Sequence, residues 1–387
     1  MNNKGKKITM ITILVGFMVL GIQTGSALPK EFSAQPAATA GWLYVGGGGS
    51  GNYSTIQSAI DASSNGDTVF VYAGTYPENI IIGTTITLLG ENKNTTIISG
   101  NSAAATVNIT TKGIILKGFT IRNDGSQNGI YTSTSSHQFM NDIFTMTSHG
   151  IYLFYSSENI MTDCLFHDNT HTGIYMQVGA NNTISNNEFF NNTGEGMYLT
   201  GCGATHIERN SIHENGIGIH GLEVTGIIIS NDTIVSNGWG IRFDGMFTVH
   251  SNFNTISYDM IDDNTEGGIH IEHSQFNLIE FNEIKGNGRG IDFAYTGLNT
   301  ISNNNISSST VVEIMLTYSL GDHVTKNNID NTQQSLVLLQ ITAGFSSASG
   351  NWWGSAQWPL RRVRPIIGWV LITPWLKSPL TMTVGPQ

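Results

Sequence analysis

The tripeptide Gly150-Ile151-Tyr152 returns along the chain at a nearly constant interval. Copies ending in tyrosine or its near equivalents begin at Gly129, Gly150, Gly173, Gly196, Gly218, Gly240, Gly268 and Gly290, the last four with His, Arg, His and Asp at the third place. Successive copies are 21, 23, 23, 22, 22, 28 and 22 residues apart. Repetition at this period is typical of solenoid proteins, in which each repeat stacks on the one before it.

Apolar and polar residues alternate within each repeat. Ile151 and Leu153, for example, are matched one repeat later by Ile174 and Met176. Alternation with a period of two predicts β-strands, and no helical period runs through the repeats. Leucine-rich repeats have a similar length, but they need more leucine than this chain has. The predicted fold class is therefore all-β, a right-handed parallel β-helix with 22–23 residues per coil.

A column of Asn and Asp residues lies between the tripeptides. Its members are Asp142, Asp163, Asn187, Asn210, Asp232, Asp259, Asn282, Asn304, Asn327 and Asn351. Asn and Asp tolerate the left-handed backbone conformation, so we expect them where the chain bends between two strands. Stacked about 4.8 Å apart, their side chains should also hydrogen-bond along the column. Further asparagines just before the tripeptides, such as Asn192 and Asn287, predict a second corner.

The first 26 residues have the composition of a secretory signal peptide. Three lysines precede an apolar run from Ile8 to Ile22, and small residues follow at Gly25 and Ser26. This run is short for a membrane span, although an uncleaved anchor is the alternative. We expect a secreted or cell-surface protein that meets the membrane only through this segment, if it is uncleaved.

The rest of the chain divides into four predicted segments. They are a flexible leader (27–41), an N-terminal cap with a short helix and the first coils (42–110), the β-helix repeats (111–351) and a Trp-rich C-terminal cap (352–387).

Charge and cysteine content limit the partners. Without the first 26 residues, 14 basic residues face 28 acidic ones, which disfavours nucleic acid and anionic lipid. The balance is compatible with neutral sugars. Asp and Asn at the coil corners could hold Ca²⁺, which prefers oxygen ligands. Cys164 and Cys202 fall at different places in the repeat, so no disulfide is expected.

Several segments resemble a known group of proteins. Tyr53–Ile60, Gly66–Val71 and Gly74–Glu78 look like the opening of pectin-lyase-fold proteins, and they are particularly similar to NosD-like and CASH-type (carbohydrate-binding and sugar hydrolase) β-helix proteins. Residues 115–351 resemble the parallel β-helix repeat of that group. Asn351–Gly354, with the Trp375 region, is similar to the ends of exported archaeal members. The resemblance implies the fold and export. It implies no particular activity, because these motifs are structural, and the scattered Met and His residues argue against copper handling.

One outward face is predicted to carry function. If Ile of each tripeptide faces the core, the third residue faces outward and stacks from coil to coil. This column would contain Tyr131, Tyr152, Tyr175, Tyr198, His220, Arg242, His270, Asp292 and Glu313. The next outward place adds Gln177, Thr200, Asp244 and Glu272. A tyrosine ladder thus runs into a charged cluster of Arg242, Asp244, His270, Glu272 and Asp292.

Two interpretations of this face stay open. In the first, Tyr131, Tyr152, Tyr175, Tyr198 and His220 bind a polysaccharide, and the charged cluster supplies a catalytic acid and base. In the second, the aromatic ladder stabilises strand pairing and the charges keep the sheet soluble. The Gly-His-Gly motif of polygalacturonases, the Trp-x-Asp-His motif of pectate lyases and the Leu-Gly-Arg-Pro-Trp motif of pectin methylesterases are absent.

No metal site is predicted from the histidines. His270 and His273 flank Glu272 within one strand, where neighbours point to opposite faces. The sequence therefore favours an exported carbohydrate-binding β-helix. A polysaccharide lyase or glycoside hydrolase is the alternative, and a structural envelope or adhesion protein is the third interpretation. Whether the protein is an enzyme stays open at this point.

Overall fold

The computed structural model describes residues 40–101, 104–124, 126–246, 250–330, 338–354, 363–371 and 375–381. They belong to one compact unit, Ala40–Gln387. The predicted signal peptide, nearly all of the predicted leader and much of the predicted C-terminal cap lie outside the described residues. Helix α1, Ile56–Ala62, is the only helix within these ranges, and no helix there is long and apolar enough to cross a bilayer.

The strands form three parallel columns, here called sheets 1, 2 and 3. Sheet 1 contains Trp42–Val45, Thr68–Val71, Thr87–Gly90, Ile115–Lys117, Gln138–Met140, Ile160–Thr162, Thr183–Ser185, His206–Glu208, Ile228–Ser230, Thr255–Ser257, Leu278–Glu280, Thr300–Ser302 and His323–Thr325. Sheet 2 contains Ile80–Ile82, Val107–Ile109, Ile130–Thr132, His149–Phe154, Thr172–Ala180, Glu195–Gly203, Ile217–Leu222, Trp239–Asp244, Gly267–Glu272, Arg289–Ala294, Val312–Thr317, Leu338–Ser347 and Val363–Leu371. Sheet 3 contains Gly74–Tyr76, Thr96–Ser99, Thr120–Arg122, Ile143–Thr145, Leu165–His167, Glu188–Phe190, Ser211–His213, Thr233–Val235, Met260–Asp262, Glu283–Lys285, Asn305–Ser307 and Asn328–Asp330.

The predicted all-β solenoid is confirmed, with about twelve coils. Each coil adds one strand to each sheet, and the register repeats without a slip through the tyrosine repeats, where Tyr152 pairs with Tyr175 and Tyr175 with Tyr198. The alternation of side chains fixes this register, because a slip of one residue would turn the buried set outward. Inside sheet 3, Phe144, Phe166 and Phe189 stack with ring centroids 4.8 and 4.6 Å apart.

Helix α1 lies at the start of the solenoid, as the N-terminal capping helix was predicted to do. Thr55 caps it by accepting a hydrogen bond from the backbone N–H of Ser58. The carboxylate of Glu78 accepts from the N–H groups of Ile56 and Gln57 at 2.9 and 3.0 Å, which satisfies donors that the first turn leaves free. Ile56, Ala59 and Ile60 are buried against the first coils.

Buried asparagine ladders join consecutive coils at the corners. Asn187 Nδ2 donates to Asn210 Oδ1 at 3.1 Å, and the backbone N–H of Asn187 donates to the same oxygen at 3.0 Å. Asn187 Nδ2 also donates to the carbonyl oxygen of Met161 at 3.0 Å. The predicted hydrogen bonding along the column is therefore confirmed. Two more ladders run at the other corners, one through Asn169, Asn192, Asn215, Asn237, Asn264 and Asn287 and the other through Asn254, Asn277 and Asn299.

The left-handed conformation does not belong to the ladder residues, and this part of the prediction is wrong. It belongs to the residue just before each of them, for example Asn186 with φ of 56°. Asp163, with φ of 58°, occupies that exposed preceding place, and Cys164 fills the ladder place, where its N–H donates to Asn187 Oδ1 at 2.9 Å. Both adjacent places favour Asn and Asp, for different reasons, so composition alone could not separate them.

Two adjacent ladder places hold carboxylates. Asp232 Oδ1 accepts from Asn210, and Asp259 Oδ1 accepts from the N–H of Asp232 at 2.8 Å. The second oxygen of each carboxylate is buried without a hydrogen bond. Burial raises the pKa of Asp232 to about 7. Burial and the neighbouring charge of Asp232 raise the pKa of Asp259 well above its usual range.

Replacing Asp259 with Asn is expected to stabilise the protein more at pH 8 than at pH 5. The new amide can donate to Asn282, as its ladder neighbours do, and the second buried charge disappears. A carboxyl whose pKa is raised by folding makes stability fall as pH rises from the unfolded pKa, 3.8, through the folded value. Urea denaturation should show a gain of roughly 1 to 3 kcal/mol at pH 8.

The reverse substitution, Asn282→Asp, is the matched control. It places a third carboxylate in the ladder and should lower stability, with a loss that grows with pH. A gain for Asp259→Asn that did not change with pH would contradict the assignment of this strain to the carboxylate pair.

Candidate functional site

The outward column of sheet 2 brings the predicted binding residues into one line. Tyr152 lies between Ile151 and Leu153, which are both buried, so its side chain points away from the core. In register from coil to coil, the column contains Tyr131, Tyr152, Tyr175, Tyr198, His220, Arg242, His270 and Asp292. We call it the Tyr131–Asp292 column.

Glu313 does not extend the column. Met315 pairs with Asp292, while Glu313 is fully buried and accepts a hydrogen bond from the backbone N–H of Ser309 at 3.0 Å. The expectation for Glu313 is wrong because this strand carries Val-Glu-Ile in place of the usual residue-Gly-Ile. Glu313 therefore occupies the buried place that Gly290 takes one coil earlier.

The tyrosine rings stack on one another. The ring centroids of Tyr152 and Tyr175 are 4.7 Å apart with an interplanar angle of 13°, and those of Tyr175 and Tyr198 are 5.2 Å apart at 6°. His220 continues the stack 4.7 Å beyond Tyr198. Parallel stacked rings cover each other's faces, so they offer their edges and hydroxyl groups to solvent. Only the ring of Tyr131, at 72° to that of Tyr152, breaks this pattern within the tyrosine ladder.

The phenol groups of the ladder are hydrogen-bond donors. Tyr152 Oη donates to Gln177 Oε1 at 2.6 Å, across to the next outward place of the following coil. Burial raises the pKa of Tyr152, Tyr175 and Tyr198 above that of a free phenol. These hydroxyl groups therefore stay protonated at neutral pH.

A chain of ion pairs begins where the tyrosines end. His220 Nδ1 lies 3.3 Å from Glu195 Oε1, and His220 Nε2 lies 3.1 Å from Asp244 Oδ2. Arg242 Nε donates to Asp244 Oδ2 at 2.8 Å. Glu195, His220 and Asp244 come from three successive strands of sheet 2, and the register alone brings them together.

Electrostatics keep His220 and Asp244 charged. Burial by itself would lower the pKa of His220, but its hydrogen bonds with Asp244 and Glu195 outweigh burial and raise that pKa. Burial likewise opposes ionisation of Asp244, but the hydrogen bonds and charges of His220 and Arg242 lower its pKa. An imidazolium and a carboxylate therefore face each other around neutral pH.

His270 is surrounded by three carboxylates. Its Nδ1 lies 3.4 Å from Asp292 Oδ2, and its Nε2 lies 3.7 Å from Glu272 Oε2 and 4.0 Å from Asp244 Oδ1. The indole of Trp239 packs against the imidazole with ring centroids 5.1 Å apart. The predicted cluster thus forms one contact network, which can transfer protons or hold a cation.

Sequence reasoning missed four neighbours of this cluster. Glu195, Trp239 and Arg289 each occupy the residue just before the Gly of a repeat, and Arg289 Nη1 lies 3.2 Å from Asp292 Oδ2. His273 Nδ1 lies 3.4 Å from Glu272 Oε1. The place before each Gly also lines up from coil to coil, so reading that column would have found the first three.

The longest repeat adds chain beside the cluster, as predicted. Directly after Asp244, the N–H of Gly245 donates to the carbonyl oxygen of Glu272 at 2.9 Å. His250 Nδ1 contacts the carbonyl oxygen of His273 at 2.6 Å. A separate cleft of about 660 Å³ is lined by Lys93, Arg209 and neighbouring residues, none of which belongs to the predicted site.

Comparison with known proteins identifies the family. A family model described as "Right handed beta helix region" matches residues 43–193 and 96–257, which together make up more than half of the chain. The chain belongs to the right-handed β-helix family. A second model, "Periplasmic copper-binding protein (NosD)", matches residues 223–353. The predicted handedness and the resemblance to NosD-like proteins are confirmed, whereas an archaeal origin stays a prediction.

Individual proteins show the same likeness. The A-module of a mannuronan C-5 epimerase from Azotobacter vinelandii is 16% identical, with 84% of this chain and 94% of that one covered and a TM-score of 0.59. A DFA-IIIase from Arthrobacter chlorophenolicus is 12% identical, with 71% and 90% covered and a TM-score of 0.58. At these identities the likeness shows the fold alone.

A curated relative matches over a shorter stretch. The probable pectinesterase A of Neosartorya fischeri is 33% identical over 123 residues, which are 30% of this chain and 37% of that protein. The chain therefore spans little more than a third of the length of this relative.

Replacing His220 with Gln is expected to destabilise the protein near pH 6 and much less at pH 9. A histidine whose pKa is raised by folding stabilises fully below its unfolded pKa of about 6.5, and the contribution is lost as pH rises through the folded value. The contribution of Asp244 is lost only as pH falls through its lowered pKa. Urea denaturation at pH 6 should show a loss of about 1 to 2 kcal/mol.

The Asp244→Asn background provides the control. Without the Asp244 charge, His220→Gln should cost much less at pH 6, because the two residues are coupled. An equal loss in both backgrounds, or a loss that grew with pH, would show that His220 acts through packing instead.

Proposed function

We propose that this protein acts outside the cytoplasm and binds a carbohydrate polymer along the Tyr131–Asp292 column. The single observation that carries the proposal is the unbroken register of eight outward aromatic or charged side chains on one sheet. Seven strand spacings of about 4.8 Å give a strip of roughly 34 Å. A strip of this length suits a polymer better than a single sugar.

The chemistry of the strip favours hydroxyl groups as the recognised feature. Stacked tyrosines offer phenol hydroxyls and ring edges, while Gln177 and Thr200 lie at the adjoining outward place. Sugar hydroxyls can donate to and accept from such groups. The face of Tyr131 is the place in the ladder where a sugar ring could lie flat.

The charge of the strip favours neutral or amino sugars over polyuronates. Glu195, Asp244, Glu272 and Asp292 outnumber the nearby Arg242 and Arg289, and the chain as a whole is acidic. A polyanion would be repelled by such a surface unless cations screened it. The similar epimerase and pectinesterase carry names that refer to polysaccharides, and they support the class of ligand only in this general sense.

Location outside the cytoplasm rests on two independent features. The first 26 residues have the order of a signal peptide, with lysines before an apolar run and small residues after it. The NosD family model that matches residues 223–353 is described as periplasmic.

Polysaccharide cleavage is the second candidate function. The observation that favours it is His270 in contact range of Asp244, Glu272 and Asp292, beside the longest loop between repeats. Carboxyl groups and an imidazole in a partly buried network can serve as a general acid and base. If this network is catalytic, the tyrosine ladder would hold the chain that is cut.

Removing two ladder rings should weaken carbohydrate binding. Tyr152→Ala with Tyr175→Ala deletes two hydroxyls and opens the middle of the column, so we expect at least a tenfold higher Kd for the best ligand in a glycan array, about 1.4 kcal/mol. The matched control is His167→Ala with Phe190→Ala, which deletes a similar stack on sheet 3, with centroids 4.8 Å apart. Equal weakening in both, or no glycan binding by the unmodified protein, would contradict the proposal.

Cleavage is tested on the same ligands by measuring released reducing or unsaturated ends. If the cluster is catalytic, Glu272→Gln or Asp292→Asn should lower the rate about 100-fold or more while binding persists. The control is Glu188→Gln, which alters a carboxylate of sheet 3 next to His213. Activity that survives both cluster variants would place the reaction elsewhere, and no release of ends would reject the enzyme interpretation for these ligands.

A further inference from the structure

Donor atoms from two successive coils converge at the charged end of the column. Asp244 ends the strand Trp239–Asp244, while His270 and Glu272 lie two residues apart on the next strand, Gly267–Glu272. One donor atom from each of the three lies within 4.8 Å of the others. Asp244 and Glu272 are paired in register, so they flank His270 on the same outward face.

The spacing of these atoms exceeds that of a hydrogen bond. His270 Nε2 lies 3.7 Å from Glu272 Oε2 and 4.0 Å from Asp244 Oδ1. Two ligand atoms bound at about 2.1 Å to a tetrahedral Zn²⁺ ion lie about 3.4 Å apart. A contraction of a few tenths of an ångström would therefore bring all three atoms to coordination distance.

The other polar atom of each side chain is already engaged. His270 Nδ1 faces Asp292 Oδ2 at 3.4 Å, Glu272 Oε1 faces His273 Nδ1 at 3.4 Å, and Asp244 Oδ2 contacts His220 Nε2 at 3.1 Å. A carboxylate on Nδ1 is the usual outer partner of a metal-bound histidine, because it keeps the proton there and leaves the Nε2 lone pair for the metal. Arg242 also donates to Asp244 Oδ1, at 3.1 Å, through one of that oxygen's lone pairs.

We infer that Asp244 Oδ1, His270 Nε2 and Glu272 Oε2 form a binding site for one Zn²⁺ ion or a similar first-row divalent ion. One nitrogen and two oxygens suit Zn²⁺, whereas Ca²⁺ requires six to eight oxygen ligands. Three protein ligands leave a fourth position for water or a ligand. The side chains of Asp244, His270 and Glu272 are 16, 12 and 30% exposed, so this position faces solvent.

This site was invisible to reasoning within one strand. His270 and Glu272 share a face, but two ligands on one strand do not make a site, and the third comes from a residue 26 positions earlier in the chain. The expectation that the chain has no metal site therefore rested on spacing alone. The inference does not depend on carbohydrate binding, since it requires only these three side chains and their partners.

Calorimetric titration of the chelator-treated full chain with Zn²⁺ tests the site. We expect one ion per chain, with binding weakened about 100-fold or more by His270→Gln and roughly 10- to 100-fold by Asp292→Asn, which removes only the outer partner. Titration with Co²⁺ should add visible absorption bands that the His270 variant lacks. Ca²⁺ should bind much more weakly than Zn²⁺.

The matched control is His213→Gln on sheet 3. The imidazole of His213 also lies near two carboxylates, 3.3 Å from Glu188 and 3.5 Å from Glu214, but these three are not among the groups able to hold an ion together. Its loss should leave Zn²⁺ binding unchanged. Because the more exposed Glu272→Gln is the milder change, it replaces His270→Gln if circular dichroism shows that the latter unfolds.

Several results would overturn the inference. These are the absence of stoichiometric Zn²⁺ binding, unchanged binding in the His270 and Glu272 variants, equal loss in the His213 control, or a preference for Ca²⁺. The ladder variant Tyr152→Ala with Tyr175→Ala should keep Zn²⁺ binding. Failure of the carbohydrate proposal and failure of the metal site can therefore be told apart.

Discussion

The hydrogen bonding of each coil to the next is the constraint on which the other features depend. It consists of in-register strand pairing in three sheets, together with amide ladders such as Asn187–Asn210 that connect the corners. A ladder amide donates both to its neighbour's oxygen and to a backbone carbonyl, so it satisfies buried polar groups that the turn would otherwise leave unpaired. Coils held this way cannot shift by one residue, because a shift would expose the isoleucine columns and break the ladders together.

A consequence of this constraint is that residues about 22 positions apart become direct neighbours. The same register that pairs Tyr152 with Tyr175 pairs Asp244 with Glu272 and His270 with Asp292. Functional groups can therefore be assembled by substitutions at one place of the repeat, without any new loop or turn. The change from tyrosine to His, Arg and Asp along one column converts a neutral aromatic strip into a charged cluster, while the backbone stays the same.

The fold could be predicted from the repeat because the period and the alternation each restrict the backbone strongly. The outward column could be predicted for the same reason, up to Asp292. Glu313 was misplaced because only the preceding Gly marks the register, and the strand Val312–Thr317 has lost that Gly. Asp163 was misplaced because two adjacent corner positions both favour Asn and Asp. The roles of Trp239 and Arg289 depend on side-chain reach between coils, which no repeat pattern encodes.

Ring geometry separates the two ends of the Tyr131–Asp292 column in what they can do. Stacking in the tyrosine ladder satisfies the ring faces internally, so that part of the surface is already stabilised without any ligand. The charged end is different, because His270 has three carboxylates around it and its Nε2 is beyond hydrogen-bond distance of the two nearest oxygens. Strand pairing alone does not require such an arrangement, and like charges placed close together weaken a sheet unless something binds between them. The physical argument for a role beyond structure is therefore strongest at Asp244, His270 and Glu272, and the tyrosines take part in function to the extent that a bound chain reaches from there along the column.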